Sequence, residues 1–234
     1  MNLWDKIQDI CKKETTIYGI ANMNSAKEYL NKEYPSLKTY PYAISIGINI
    51  PDKIVDNIEN KYGEIDYLNT YNKTNKKLDK IGQRIEQTIQ KNGYKAKQIP
   101  ASDIVSKEKL IGDMSHKLVA NLAGLGWIGK SCLLINPYYG PRIRWATILT
   151  NAQLQYNKKI LSNKCNTCRL CVVNCPAKAI KNVNFKKEDP RSVRYDAYAC
   201  NNHFKKLESE GRPKLCGLCV KVCPWGLVNK KSRN

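Results

Sequence analysis

"CNTCRLCVVNCP", residues 165–176, spaces four cysteines as C-x2-C-x2-C-x3-C and closes on a proline. Three thiolates this close together can wrap one iron-sulfur cubane, while the fourth is carried toward another cluster. Downstream, "CGLCVKVCP" (216–224) gives C-x2-C-x3-C-P, with Cys200 upstream of it. Eight ligands supply two [4Fe-4S] clusters. Because the cysteine before each proline crosses over, Cys165, Cys168, Cys171 and Cys223 are expected on one cluster, and Cys175, Cys200, Cys216 and Cys219 on the other. Zinc ribbons, the main alternative, use tidy four-ligand pairs without the C-x3-C-P tails. Cys200 is the weakest member, since without it the second cluster has three protein ligands.

Of the ten cysteines, eight follow residue 164, so the last third of the chain is chemically distinct. A chain of 234 residues accommodates one sizeable domain and a small one. The boundary is expected in the polar stretch "NKKILSNK" (157–164), giving an α/β domain over 1–156 and a cluster domain over 157–234. In the first part, apolar periodicity predicts helices over 3–13, 25–33, 66–92 and 116–123. Strands are expected over 42–51, 94–100, "CLLINP" (132–137) and "IRWATILT" (143–150).

The N-terminus carries Asp5, Lys6 and Asp9 where a signal peptide needs its apolar stretch, and no run of eighteen apolar residues occurs. The expectation is a soluble, cytoplasmic protein with no membrane contact, whose reduced thiols serve metal rather than disulfides. Forty Lys and Arg against twenty Asp and Glu leave a formal charge of +20, which favours RNA or acidic partners, although abundant Lys, Asn, Ile and Tyr also fit a plain compositional bias. From Met114 to Lys187 there are twelve basic residues and no acidic one. Such a stretch calls for nucleic acid, phosphate or an anionic cofactor nearby.

"GLGWIGKS" (124–131) fits both the G-x-G-x-x-G fingerprint and the G-x-x-x-x-G-K-S phosphate loop. Both loops must follow a strand and open a helix, so that free helix-terminal amides hold the phosphate. Here a helical segment precedes and a strand follows. The acid that would bind a ribose and the aspartate that would bind magnesium are also absent before residue 188. Two readings remain: a helix-to-strand turn whose glycines serve geometry, or a backbone approach to a large flat or phosphate-bearing ligand, with Trp127 packing and Lys130 neutralising.

The run "AGLGWIGKSCLL" (123–134), joined to two cysteine sets ending "CPWG" (223–226), resembles epoxyqueuosine reductases, cobalamin-dependent enzymes acting on a modified tRNA base. "LLINPYYGPRIRWATILTNAQL" (133–154) looks more like the matching segment of reductive dehalogenases, the sister group. The resemblance implies a nitroreductase-like cobalamin-binding α/β domain followed by a bacterial-ferredoxin-like double-cluster domain. It also implies a corrinoid bound without its lower base and reduced through the clusters. Carried over by position, Gly124, Gly126, Trp127, Gly129, Lys130 and Ser131 would line the corrinoid, with Arg142 and Arg144 close by. A low-potential donor of the ferredoxin or flavodoxin type, and tRNA, are the implied partners.

The proton donor is less well marked. The aspartate of the reductase motif V-D-S-A-P falls at Leu110, leaving Asp113 and Asp103 as the nearest carboxylates. Dehalogenases use a tyrosine with a basic neighbour, for which Tyr71 or Tyr94 are the candidates. His116, opening the helix before the glycine loop, is a candidate cap, proton donor or cobalt neighbour. His203 reads as a surface residue, and Cys11 and Cys132 as buried structural thiols. The twin-arginine leader of dehalogenases and the C-terminal helical-repeat region of many reductases do not occur in this sequence. A rival reading is a ferredoxin-type module that docks a partner and transfers electrons without chemistry of its own; another is an RNA-binding protein with structural clusters.

Overall fold

The computed structural model describes residues 2–26, 28, 39–59, 61–102, 106, 110, 112–156 and 159–228. Asp103 and most of the helix expected over 25–33 lie outside them. The chain divides into two compact units, one of residues 1–48, 74–126 and 144–161, the other of 49–73, 127–143 and 162–234. The break at 161/162 lies near the boundary expected from composition, but the second unit also recruits 49–73 and 127–143.

The first unit is built on a four-stranded sheet in the order β1-β2-β6-β3. Its strands are β1 (Ile17–Asn22), β2 (Tyr42–Asn49), β3 (Ala96–Ile99) and β6 (Ile143–Thr150). β1 pairs antiparallel with β2, Ile17 opposite Gly47, and β3 pairs antiparallel with β6, Ala96 opposite Thr150. Alternate residues of β2 (Ile44, Ile46) and β6 (Ala146, Ile148) enter one core, as period-two burial requires. Against them pack Ile7 and Cys11 of α1 (Leu3–Glu14), and Leu78, Ile81, Ile85 and Ile89 of α3 (Lys61–Lys91), at helical spacing. An Asn2–Asp5 capping box starts α1. Gly93, at φ +85°, turns the chain out of α3, a conformation that costs glycine little. Burial first, then Glu14, pushes the Cys11 thiol up to about 12, so this cysteine is inert core.

In the second unit, α2 (Asp52–Asp56) precedes the first part of α3, and a hairpin pairs β4 (Trp127–Ile128) with β5 (Leu134–Ile135). The cysteine segment adds α5 (Leu170–Val173), α6 (Ala197–Ser209) and α7 (Leu218–Lys221), with a β-bridge between Ile180 and Tyr195. Ile50, Val55, Ile58, Tyr67 and Val220 form its core. α3 starts before the apolar periodicity begins, because Glu64 in its first turn is held by a two-pronged ion pair with Arg212.

Candidate iron-sulfur and cofactor sites

The two cysteine sets share a local device. The residue after the first cysteine of each is left-handed: Asn166 at φ +42° and Gly217 at φ +78°. That turn precedes a short helix carrying the next ligands, α5 with Cys171 and α7 with Cys219. Gly217 is obligatory for a second reason, since a Cβ there would lie 2.6 Å from the Tyr67 ring.

Cys165, Cys168, Cys171 and Cys223 line one cavity together with Lys130, Ser131, Ile135, Pro224 and Trp225. These four are the first set expected from the crossover. Burial, with Cys165 and Cys168 next, pushes the Cys171 thiol up to about 11, and burial followed by Cys165 and Cys171 raises Cys223 to about 12. In the second set, burial raises Cys216, with Cys200 and Cys175 adding to it. Burial also raises Cys219, whose neighbours are Cys216, Cys200, Cys175 and, from the first set, Cys171. Four thiols thus share one cavity, while Cys175 and Cys200 act on the charge of Cys216 and Cys219. Among the described residues, no three His, Cys, Asp or Glu side chains converge as one metal ion requires. Thiols spread around a cavity suit a cubane, in which each thiolate binds its own iron, better than a zinc ribbon.

Cys200 stands in the first turn of α6, whose N-cap Asp196 accepts from the Ala199 amide at 2.9 Å. The preceding residue, Tyr195, donates its hydroxyl to Cys200; burial and then this thiol push the phenol far up. Sequence reasoning missed Tyr195, one of fourteen tyrosines with no motif around it.

The glycine loop runs from α4 (His116–Leu122) into β4, turns, and returns as β5, so no helix opens after it. Gly124, at φ +74°, and Gly126, whose carbonyl accepts from Asn121 Nδ2 at 2.8 Å, belong to the first unit. The rest belongs to the second. Trp127 is buried edge-on against Trp225 with ring centroids 4.9 Å apart, and among the described residues its Nε1 has no hydrogen-bond partner. Gly129 carries no side chain because a Cβ would lie 2.8 Å from Ile135 and 3.3 Å from Cys165 Sγ. Lys130, 5% exposed, donates from Nζ to the carbonyls of Asn166 (2.7 Å) and Cys168 (3.2 Å). Gly129, Lys130 and Ser131 are thus accounted for by the first cysteine cavity.

The two arginines are engaged as well. Arg142, 1% exposed, donates from Nη1 to Asp52 (2.8 Å) and from Nη2 to Asp56 (2.9 Å). Its Nε lies where a Cβ on Gly226 would be, at 2.6 Å. Arg144 donates to Asn75 Oδ1 (3.0 Å) and to the Ala101 carbonyl (3.2 Å). Arg142 and Arg144 are thus each held by groups of their own unit, and the corrinoid-lining role of the glycine loop and these arginines stays what the resemblance implies.

In the first unit a cavity of about 140 Å³ is lined by Ile99, Pro100, Ala101, Ser102, Gly112, Asp113, Met114 and His116. Asp113 is half-exposed and ion-paired with Lys97 at 3.0 Å. His116 is not the cap of α4; Ser115 is, accepting from the Leu118 amide. Both imidazole nitrogens are taken. Nε2–H donates to the Pro100 carbonyl and Nδ1 accepts from the Thr147 hydroxyl, each at 2.9 Å. That pattern, with the lowered pKa of this group, fits a neutral imidazole held at both nitrogens. Tyr71 lies in the second unit, its ring 6.4 Å from Tyr67, and among the described candidates Asp113 and His116 share the cavity.

Burial above all, with Arg144 and Lys117 adding, lowers His116 to about 4 against an ordinary 6.5. A folded value below the unfolded one means that its contribution is complete above pH 6.5 and is lost as pH falls toward 4. The whole loss amounts to about 3 kcal/mol. Urea unfolding of wild type and His116→Gln should therefore diverge in slope between pH 6.5 and 4. Parallel profiles would show that His116 is not held neutral.

Among the described residues, no helix is long and apolar enough to cross a membrane. Residues 164–226 match a family described as a 4Fe-4S double cluster binding domain. An epoxyqueuosine reductase from Synechocystis sp. is 32% identical over 120 residues, covering 49% of this chain and 40% of the relative. The aligned stretches span about two fifths of the length of the epoxyqueuosine reductases matched. A solved epoxyqueuosine reductase with an epoxyqueuosine-modified tRNA-Tyr stem loop is similar at TM-score 0.59 and 16% identity, over 97% of this chain and 67% of that one. A reductive dehalogenase whose structure suggests a mechanism for B12-dependent dehalogenation is similar at TM-score 0.68 and 17% identity, over 97% of this chain and 33% of that one. The mixed α/β fold is shared with both kinds of enzyme, and residues 164–226 of this chain carry the double-cluster match.

Proposed function

We propose that this protein is a cytoplasmic iron-sulfur reductase of the epoxyqueuosine reductase kind, with two [4Fe-4S] clusters and cobalamin as cofactors and a modified tRNA base as substrate. The observation that carries the reading is the gathering of Cys165, Cys168, Cys171 and Cys223 on one cavity, within a segment matching a double-cluster domain. Side-by-side clusters move single electrons from a low-potential carrier of the ferredoxin or flavodoxin type. A corrinoid, when bound, supplies the reducing centre that such electrons need.

The chain's own residues have separate tasks. The tetrads hold the clusters, Tyr195 donates to Cys200, and the loop after α4 closes over Cys165 through Gly129. Asp113, at the edge of the 140 Å³ cavity with Lys97 against it, is our candidate for the group that delivers the proton. Lys97 steadies the carboxylate, and His116 fixes the wall beside it. The net charge of +20 attracts the tRNA phosphates.

The test is anaerobic reconstitution followed by titration with cob(II)alamin. About eight irons per chain are expected, together with the spectral change of losing the lower base. Eight irons with an unchanged corrinoid spectrum at high protein concentration would leave an electron-transfer module instead. For the substrate, affinity for tRNA should fall steeply with salt as condensed ions are released; a salt-insensitive interaction would reduce the charge to composition.

A further inference from the structure

We propose that Lys130 sets the potential of one cluster: its buried ammonium raises the reduction potential of the cluster on Cys165, Cys168, Cys171 and Cys223 and leaves the other unchanged. This rests on the two-cluster reading above.

The argument begins with position. Lys130 lines the cavity that those four cysteines surround, and its side chain is 5% exposed. A lysine is seldom buried so fully without a partner of opposite charge. The described partners of Nζ are the carbonyls of Asn166 and Cys168, both within the turn between the first two ligands. The two carbonyls take two of the three ammonium hydrogens and leave its net charge intact. None of the ion pairs among the described residues involves Lys130.

The chemistry follows from charge. One-electron reduction adds one negative charge to a cluster already carrying four thiolates, with no bond made or broken and no proton taken up. A fixed cation in a site of low dielectric stabilises the more negative form, so the electron is held more tightly. The second tetrad is served differently, since its described side-chain donor is the neutral hydroxyl of Tyr195 on Cys200. The two clusters are therefore tuned by unlike groups, a full charge for one and a dipole for the other.

The experiment is a potentiometric titration with dithionite of the reconstituted protein, both clusters followed by electron paramagnetic resonance, in wild type, Lys130→Gln, Lys130→Met and Lys130→Arg. In the two neutral variants one midpoint should fall by at least a tenfold change in the reduction equilibrium, about 59 mV for one electron, while the other midpoint stays. Lys130→Arg should keep both midpoints near wild type. Neutral variants with all their irons and unmoved midpoints would overturn the proposal. So would loss of half the irons from both neutral variants, which would make the ammonium purely structural. Wild type assembling clearly fewer than about eight irons would instead sink the two-cluster reading itself, so the two failures are distinguishable.

Discussion

Replacing Cys200 with alanine should lower the iron content of the reconstituted protein from about eight per chain to about four, leaving the cluster on Cys165, Cys168, Cys171 and Cys223 in place. Cys200 is the ligand with the least sequence support, yet it stands in a prepared position. Asp196 caps the helix that carries it, and the Tyr195 hydroxyl points at its sulfur. Removing the thiol leaves the other cubane with Cys175, Cys216 and Cys219 only, and leaves a buried phenol without its acceptor. Iron and sulfide analysis beside Cys11→Ala, a thiol in the core of the other unit, gives the comparison. Retention of the full complement in Cys200→Ala would remove Cys200 from the ligand set.

Arg142→Met should cost about 3–5 kcal/mol, the range for removing one partner of a buried ion pair. The wild-type guanidinium is 1% exposed and divides itself between Asp52 and Asp56, and the Ile50 amide donates to the Arg142 carbonyl at 2.7 Å. Without it the Asp52 carboxylate, 10% exposed, stays in place with its ion-pair partner gone. Methionine fills similar volume but satisfies nothing. Lys130 and the ligands are untouched, so the loss should appear in urea unfolding before it appears in cluster content. A change below about 1 kcal/mol, the range of an exposed pair, would mean that the carboxylates find water or another donor. Adding Asp52→Asn and Asp56→Asn to Arg142→Met should recover part of the loss, since the uncompensated charges go with them.

The periodic helices α1, α3 and α4 and the strands β2 and β6 were legible because burial on one face imposes a period that the residues display. The start of α3 was not, since a distant arginine holds its first turn. The short hairpin β4–β5 was half visible: "CLLINP" announced a strand, but Trp127 and Ile128 were hidden inside a stretch that imitates a nucleotide loop. Its Lys130 and Ser131 line the first cysteine cavity. Gly129 is small to make room for Ile135 and Cys165, and Lys130 turns toward the turn after Cys165.

By itself, the sequence marked the eight candidate ligands, because thiolates are chemically distinctive and the spacing of each run is local. It also excluded a nucleotide loop, since the order of elements is written along the chain. Tertiary structure alone decided what the charged and aromatic side chains do. Lys130 meets Asn166 thirty-six residues on, Arg142 meets Asp52 ninety residues back, and Glu64 meets Arg212 across 148. A charge acquires its role from whatever faces it through space, and no period or motif along the chain records that partner.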